Sequence, residues 1–385
     1  MAYLAAFSIS TLLALLSEGV HKQNSARSRR LSGGWIVFAC LAVVSVSVLN
    51  WVRDYSIGTD VLYYGNKTFA MSYMTNSFLE YFDYCEQFID MHEVGYAFLN
   101  YVVSRFSHNA HDFYLVIGLI ANGLAYATAC RCRKFCPVPL VWLTYLLVFY
   151  PTTLNILRQG LAILVIAYAF CGIGKTGWKR YLVWVAVAST VHQSAVCGVV
   201  LLPLYAMLKK CENEQGSGMA NTGRALAIAF AFVAAVAAFS ASFGMLDDLG
   251  ILPVKYGQYL VASSANKSLT NSILIRLPFV LLAAWLILWR REKVGATELC
   301  LAAFVLCEFL LLPLQNVSDA VFRIALYFGI FKMTAYPMVL YRLGIPRWMT
   351  VPLFLAYIVF IFVFQVVISG NGAVYPFVMA SDIFR

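Results

Sequence analysis

Few side chains in this chain can hold charge or move a proton, and most of them stand where an apolar run begins or ends. Asp60 is the first. It closes the polar stretch Arg53-Asp54-Tyr55-Ser56-Ile57-Gly58-Thr59-Asp60, directly after an apolar run from Trp35 to Trp51. Gly58 permits a sharp turn, Thr59 can hydrogen-bond within that turn, and Asp60 keeps a free carboxylate. The plain alternative is an interfacial loop with solvated charges. Asn155, Arg158 and Gln159 come next, at i, i+3 and i+4, and put two amides and a guanidinium on one face of a helix. A lone Arg at such a place is a snorkelling anchor, but flanking amides describe a polar wall. Asn316, Asp319, Arg323 and Tyr327 repeat the pattern at another apolar run, where Asp319 can also simply pair with Arg323. Two guanidiniums at one membrane level on separate helices suit a diphosphate, because Arg presents planar, bidentate donors to phosphate oxygens.

His192 lies in a polar interruption, Thr190 to Ser194, between apolar runs. It is either a satisfied structural residue or, at a helix break, a donor to a substrate oxygen or a proton carrier. The sequence leaves both open. Glu308 and Lys332 lie deeper in apolar runs and are functional candidates or partners for each other. No zinc motif, Walker loop, GxSxG elbow or EF-hand is present. Asp54 and Asp60 alone are weak ligands for a divalent cation. The ten cysteines are scattered, and Cys130, Cys132 and Cys136 have no nearby His to complete a zinc site. No metal and no cofactor is expected.

The elements that must position these groups are membrane helices. Of 385 residues, 62% are hydrophobic and 12% charged, with mean hydropathy +0.76. A soluble domain carries roughly 25% charged residues. The net charge of +10 comes from basic clusters dispersed between apolar runs, the positive-inside pattern and not a nucleic-acid stripe. The apolar runs 2–20, 33–52, 112–130, 137–151, 157–173, 181–191, 194–208, 223–244, 273–289, 296–313, 322–340 and 349–368 give an all-α polytopic protein of about twelve transmembrane helices. Basic residues follow the first run, so it is read as a retained span. Taken alternately, the runs put the basic connections in the cytoplasm and both termini outside. The runs flanking His192 are short and read as broken half-helices. Residues 53–111 form an outer loop in which Gly95 to Phe106 reads as an amphipathic surface helix. The polar stretch 209–222 reads as a cytoplasmic linker. Otherwise 1–385 is a single integral membrane domain.

One set of short motifs runs through nearly the whole chain. They are Arg53 with Gly58-Thr59-Asp60 and Tyr64, Glu93-x-Gly95-Tyr96, Arg158-Gln159-Gly160-Leu161-Ala162 and His192-x-Ser194-Ala195. Lys255-Tyr256-x-x-Tyr259, Arg323-x-x-x-Tyr327-Phe328 and Tyr375-Pro376-Phe377 follow. In this order they resemble the EpsG family of Wzy-type polymerases of bacterial exopolysaccharide and O-antigen. The family often has Tyr where this chain has Phe377. The resemblance implies a metal-independent glycosyltransferase of the bacterial inner membrane with its site facing outward. It would move a glycan from undecaprenyl diphosphate to the non-reducing end of another lipid-linked unit, alone or beside a chain-length regulator. Asp60 or Glu93 would serve the acceptor and His192 would assist. Arg158 and Arg323 would hold the diphosphate, and Arg53, Tyr64, Asn155, Gln159 and Tyr327 would line the substrate. An early outer acid is also found in glycosyltransferases of GT-C type, an analogy of fold alone. A flippase or an O-antigen ligase for the same lipid-linked oligosaccharide is the alternative. The flippase would need repeat-related halves and charges across the whole bilayer.

Overall fold

The computed structural model of the chain describes residues 2–26, 33–89, 93–213, 269–289, 294–316 and 319–381, with Gly223 and Ile383 as isolated positions. The described residues are helical, and a single antiparallel bridge joins Arg53 to Met379. They divide into two compact units, 1–196 with 345–385, and 197–344.

In the first unit, α1 (Ala2–Ala26) packs along α2 (Gly34–Val52), and α2 packs on α6 (Ala110–Arg131). The layer continues through α9 (Leu157–Cys171) to α10 (Ile173–Val191), while α7 (Val138–Val148) lies against α1, α6 and α16 (Arg347–Phe362). Between α2 and α6 the chain makes a small helical cap. It consists of a π turn at Val61–Gly65, α3 (Asn66–Met74), α4 (Phe78–Cys85) and α5 (Val94–Ser104). Asn109 starts α6 by accepting from the His111 N–H at 2.9 Å. Pro151 sits in the first turn of the short helix α8 (Tyr150–Asn155), where a missing N–H costs nothing.

The lipid-facing composition of these helices forces their polar side chains to find each other. Asn122 donates to Ser47 Oγ at 3.0 Å and accepts from Tyr145 at 2.8 Å. Tyr150 donates to Asn50 at 3.0 Å, and Trp142 donates to Ser10 at 2.8 Å. All of these side chains are buried.

The second unit contains α11 (Leu201–Asn213), α12 (Leu269–Trp289), α13 (Ala296–Leu311), α14 (Asp319–Gly329) and α15 (Lys332–Arg342), with α13 touching the other four. Glu308 of α13 is its polar centre. One carboxylate oxygen accepts from Arg276 Nε at 2.9 Å and from Lys332 Nζ at 2.9 Å. The expected pairing of Glu308 with Lys332 is present, and Arg276 joins it.

Among the described residues, five helices are long and apolar enough to cross a membrane, or six if the pair Val321–Gly329 and Lys332–Arg342, bent by 44°, is one span. The other expected runs fall on shorter elements such as α7, α9 and α13, and the run 223–244 lies outside the described residues. So do 214–222 of the expected linker; its first residues, to Asn213, are helical. The break at His192 is present. After α10 the His192 backbone is extended, φ −151° and ψ 123°, and a 3₁₀ turn, Gln193–Val200, follows. A second break, at Gly177 with φ +78°, falls in the connection between the expected runs 157–173 and 181–191. Cys85, expected in an open loop, is buried with Tyr81, Tyr96 and Phe113 in the core of the cap.

Candidate active site

Asp60 stands at the N-terminal end of the π turn, half-buried. One carboxylate oxygen, Oδ2, accepts from the Leu157 N–H at 2.9 Å and from the Tyr64 hydroxyl. The first bond places the negative charge at the N-terminus of α9, where helix N–H groups favour it. Burial holds the Tyr64 phenol well above its ordinary pKa and outweighs the opposing effect of Arg158 nearby, so Tyr64 remains a donor. Asp54 bonds within its own loop. It accepts from Ser56 N–H at 2.9 Å and Ser56 Oγ at 2.6 Å, and those bonds hold its carboxyl below the usual range.

The turn that carries Asp60 is built on Gly58. Its φ is +86°, and a Cβ there would lie 2.3 Å from the Leu154 carbonyl oxygen. Gly58→Ala should therefore destabilise the purified protein by more than the roughly 1–2 kcal/mol of left-handed strain, read as a lower melting temperature. Gly123→Ala, with open space around the new methyl, is the control and should be neutral or mildly stabilising. Equal melting of the two variants would contradict this role for the turn.

Asn155 does not share a helix face with Arg158, contrary to the spacing argument. Ile156, at φ −108° and ψ 82°, ends α8 and starts α9 afresh. Asn155 Oδ1 accepts instead from Thr59 N–H at 2.8 Å and Thr59 Oγ1 at 2.9 Å, which anchors the same turn. Arg53 also serves the turn. It is fully buried, donates from Nη1 to the Leu154 carbonyl at 2.8 Å, and lies 4.6 Å from the Tyr114 ring centroid. Its side chain lies beneath the turn, away from solvent.

Arg158, in the first turn of α9, is the charged neighbour of Asp60. Its guanidinium lies 4.1 Å from the Tyr64 ring centroid and 5.8 Å from that of Tyr96. Nη1 forms an ion pair with Glu93 Oε2, and the Glu93 side chain is only 2% exposed. Nε is buried without a hydrogen-bond partner among the described residues. Glu93 reaches the His192 break with its other oxygen, which accepts from Gln193 N–H at 3.3 Å. The start of α5 packs closely on the end of α10 here, since a Cβ on Gly95 would lie 2.4 Å from Thr190 Oγ1.

His192 Nδ1 accepts from Ser194 N–H at 3.2 Å and lies 2.9 Å from Ser194 Oγ. A backbone N–H can only donate, so this bond puts the proton of a neutral His192 on Nε2. Glu93 Oε1 is 3.6 Å from the same Nδ1, too far for a hydrogen bond. Ser194 has no role of its own in the sequence motif, and here it orients the imidazole. Gln159 is buried, with Nε2 3.5 Å from Ser194 Oγ.

Arg323 and Tyr327 belong to the second unit, one turn apart on α14, with Tyr327 buried. The side chains of Asn316 and Asp319 lie outside the described residues, as do Lys255, Tyr256 and Tyr259. Sequence reasoning missed Arg276, although an Arg inside an apolar run is itself a signal. Among the described residues no group of three or more His, Cys, Asp or Glu is placed to hold a metal ion.

Asp60, Tyr64, Glu93, Tyr96, Arg158 and His192 thus form one linked constellation within the first unit, drawn from four separate motifs of the chain. Compared with known proteins, residues 36–379 match the model of the EpsG family. No curated protein and no solved structure matches the chain. The family match runs through every residue of the constellation and covers most of the sequence, and the apolar helices make the chain a multi-pass membrane protein. The chain belongs to the EpsG family, a family of polysaccharide polymerases.

Proposed function

We propose that the protein joins lipid-linked oligosaccharide repeat units, transferring a glycan from undecaprenyl diphosphate to the non-reducing sugar of a second lipid-linked unit. The observation that supports this most is the adjacency of Asp60 and Arg158. The N–H of Leu157 holds the carboxylate, the next residue supplies the guanidinium, and Tyr64 touches both. In the transfer, the acceptor hydroxyl gives its proton to Asp60 as its oxygen bonds to the anomeric carbon. The bond from that carbon to the diphosphate oxygen breaks, and the diphosphate leaves with the electron pair. Asp60 is half-buried and within reach of an acceptor, whereas Glu93 is occupied by Arg158 and the Gln193 N–H. Arg158 takes the leaving charge, and an anion that also accepts from Nε recovers the roughly 1–3 kcal/mol that an unpartnered buried donor costs. Neutral His192 assists as a donor from Nε2, and Gln159 beside Ser194 completes this wall of the site.

The site faces the outside of the bacterial inner membrane, as the charge asymmetry of the connections suggests. About twelve crossings, a GT-C-like arrangement and a chain-length regulator as partner belong to the same reading. Arg158 and Arg323 each bind a phosphate group of a lipid-linked substrate. Replacing either by Lys keeps the charge and loses the planar fork, and should slow polymer synthesis about ten- to a hundred-fold. Normal synthesis at unchanged protein abundance in either variant excludes that residue from phosphate binding.

The lipid-linked glycans that accumulate on gene deletion test the function itself. Single repeat units exposed on the outer face are expected. Full-length polymer left on lipid would mean a ligase, and units trapped on the inner face a flippase.

A further inference from the structure

We infer that residues 372–380 are part of the active site's framework: a strap that fixes the turn carrying Asp60, with Arg53 as the positioning residue beneath that turn. The loop 52–58 belongs to no helix beyond Val52 and must satisfy its backbone groups elsewhere. The strap supplies the partners. Ala380 N–H donates to the Val52 carbonyl at 2.9 Å, Asp54 N–H donates to the Val378 carbonyl at 2.9 Å, and Gly58 N–H donates to the Ala373 carbonyl at 3.0 Å. These bonds run along one face of the loop, on either side of the Arg53–Met379 bridge.

The other face of the turn is held by α8. Arg53 Nη1 donates to the Leu154 carbonyl, the oxygen against which Gly58 packs, and Asn155 Oδ1 takes both donors of Thr59. The strap reaches α8 as well, since a Cβ on Gly372 would lie 3.6 Å from Asn155 Cβ. The strap is itself tied down. Tyr3 donates to the Val374 carbonyl at 2.8 Å and meets Phe377 edge-on at 5.1 Å, and Asn109 donates to the Ile383 carbonyl at 2.9 Å. Asp60 follows the clamped turn by two residues. Its distance from the Leu157 N–H, and so from Arg158, is set by how firmly the turn is held.

Ala373 allows a selective test. Its φ is +50°, which Gly adopts freely and a β-branched residue resists, and its carbonyl is the acceptor for Gly58. Ala373→Val should therefore loosen the strap and Ala373→Gly should not. Two measurements are made on the full-length protein in detergent: amide hydrogen exchange of the peptide spanning 52–60, and polymerisation kinetics with lipid-linked repeat units. Ala373→Val is expected to exchange at least ten-fold faster over 52–60. Its turnover should fall about ten- to a hundred-fold while KM for the donor stays within about two-fold, because misplacement damages chemistry more than binding. Ala373→Gly should match wild type in both. If Ala373→Val does not accumulate, Tyr3→Phe takes its place, removing only the bond to Val374 and shifting both readouts the same way.

Unchanged exchange over 52–60 overturns the strap, and faster exchange with unchanged turnover overturns its link to Asp60. The kinetic arm rests on the polymerase reading. A wild-type protein that makes no polymer sinks that reading, and the exchange result alone then decides whether the strap holds the turn.

Discussion

Asp60→Asn protein is expected to accumulate and melt much as wild type does, to bind lipid-linked donor, and to make polymer about 10²–10⁴-fold more slowly. Asparagine keeps one amide oxygen where Asp60 Oδ2 accepts from Leu157 N–H and the Tyr64 hydroxyl, so both anchoring bonds survive. What it loses is the capacity to take a proton, and the charge at the start of α9, worth roughly 0.3–1 kcal/mol. A purely structural Asp60 would show only the second loss, a small drop in melting temperature with turnover nearly intact. Purified protein, a lipid-linked donor and a melting curve separate the two outcomes.

Glu93→Gln should behave in the opposite way, with stability as the main casualty. Glu93 and Arg158 form an ion pair whose side chains are 2% and 14% exposed, and removing one charge strands the other away from water. Breaking a buried pair on one side typically costs about 3–5 kcal/mol. A marginally stable membrane protein should then yield much less folded material. The double variant Glu93→Gln with Arg158→Gln should recover part of that yield, because no charge is left stranded, yet should remain inactive for lack of the guanidinium. Size-exclusion profiles and folded yield report the first effect, and polymer synthesis the second. Glu93→Gln protein that folds normally and is inactive, beside an active Asp60→Asn, would move the role of base from Asp60 to Glu93.

Arg158 and His192 are legible in the sequence because each is a polar residue where an apolar run is expected to exclude one, and burial of such groups is costly enough to make the signal specific. Asp60 is legible as the end of a Gly-Thr-Asp turn after an apolar run, and Glu93 only through the motif order of the family resemblance. Who pairs with whom is not legible. Glu93 and Arg158 are 65 residues apart, and no periodicity carries information across such a gap. Helical spacing misleads at Asn155, because the break at Ile156 has neither Gly nor Pro to announce it. The charge of Arg53 points to a surface group, and the structure buries it. Three of its neighbours, Leu154, Tyr114 and the strap, come from distant parts of the chain that no local pattern ties to it. Tyr375-Pro376-Phe377 marks the strap as a motif, but its pairing with 52–58 is not legible, since an extended segment bonded through its backbone places few demands on side-chain type. The helices themselves are legible from hydropathy, although runs such as 137–151 and 157–173 form helices, α7 and α9, shorter than a full span.

The bonds from Asn122 to Ser47 and Tyr145, and from Tyr150 to Asn50, act as a vernier between neighbouring helices. Leucines and valines look alike to one another, so an apolar seam tolerates sliding by a turn, about 5.4 Å, at little cost. A carboxamide does not, because one turn of slippage leaves it facing hydrocarbon. The matching rungs on α2, α6, α7 and α8 admit one vertical alignment of these helices. Arg53 directly follows α2, Asn155 ends α8 and Leu157 begins α9, so that alignment also sets the elevation of the Asp60 turn relative to Arg158. A polymerase that must meet two lipid-tethered substrates at one depth would inherit its working height from amides buried well away from either of them.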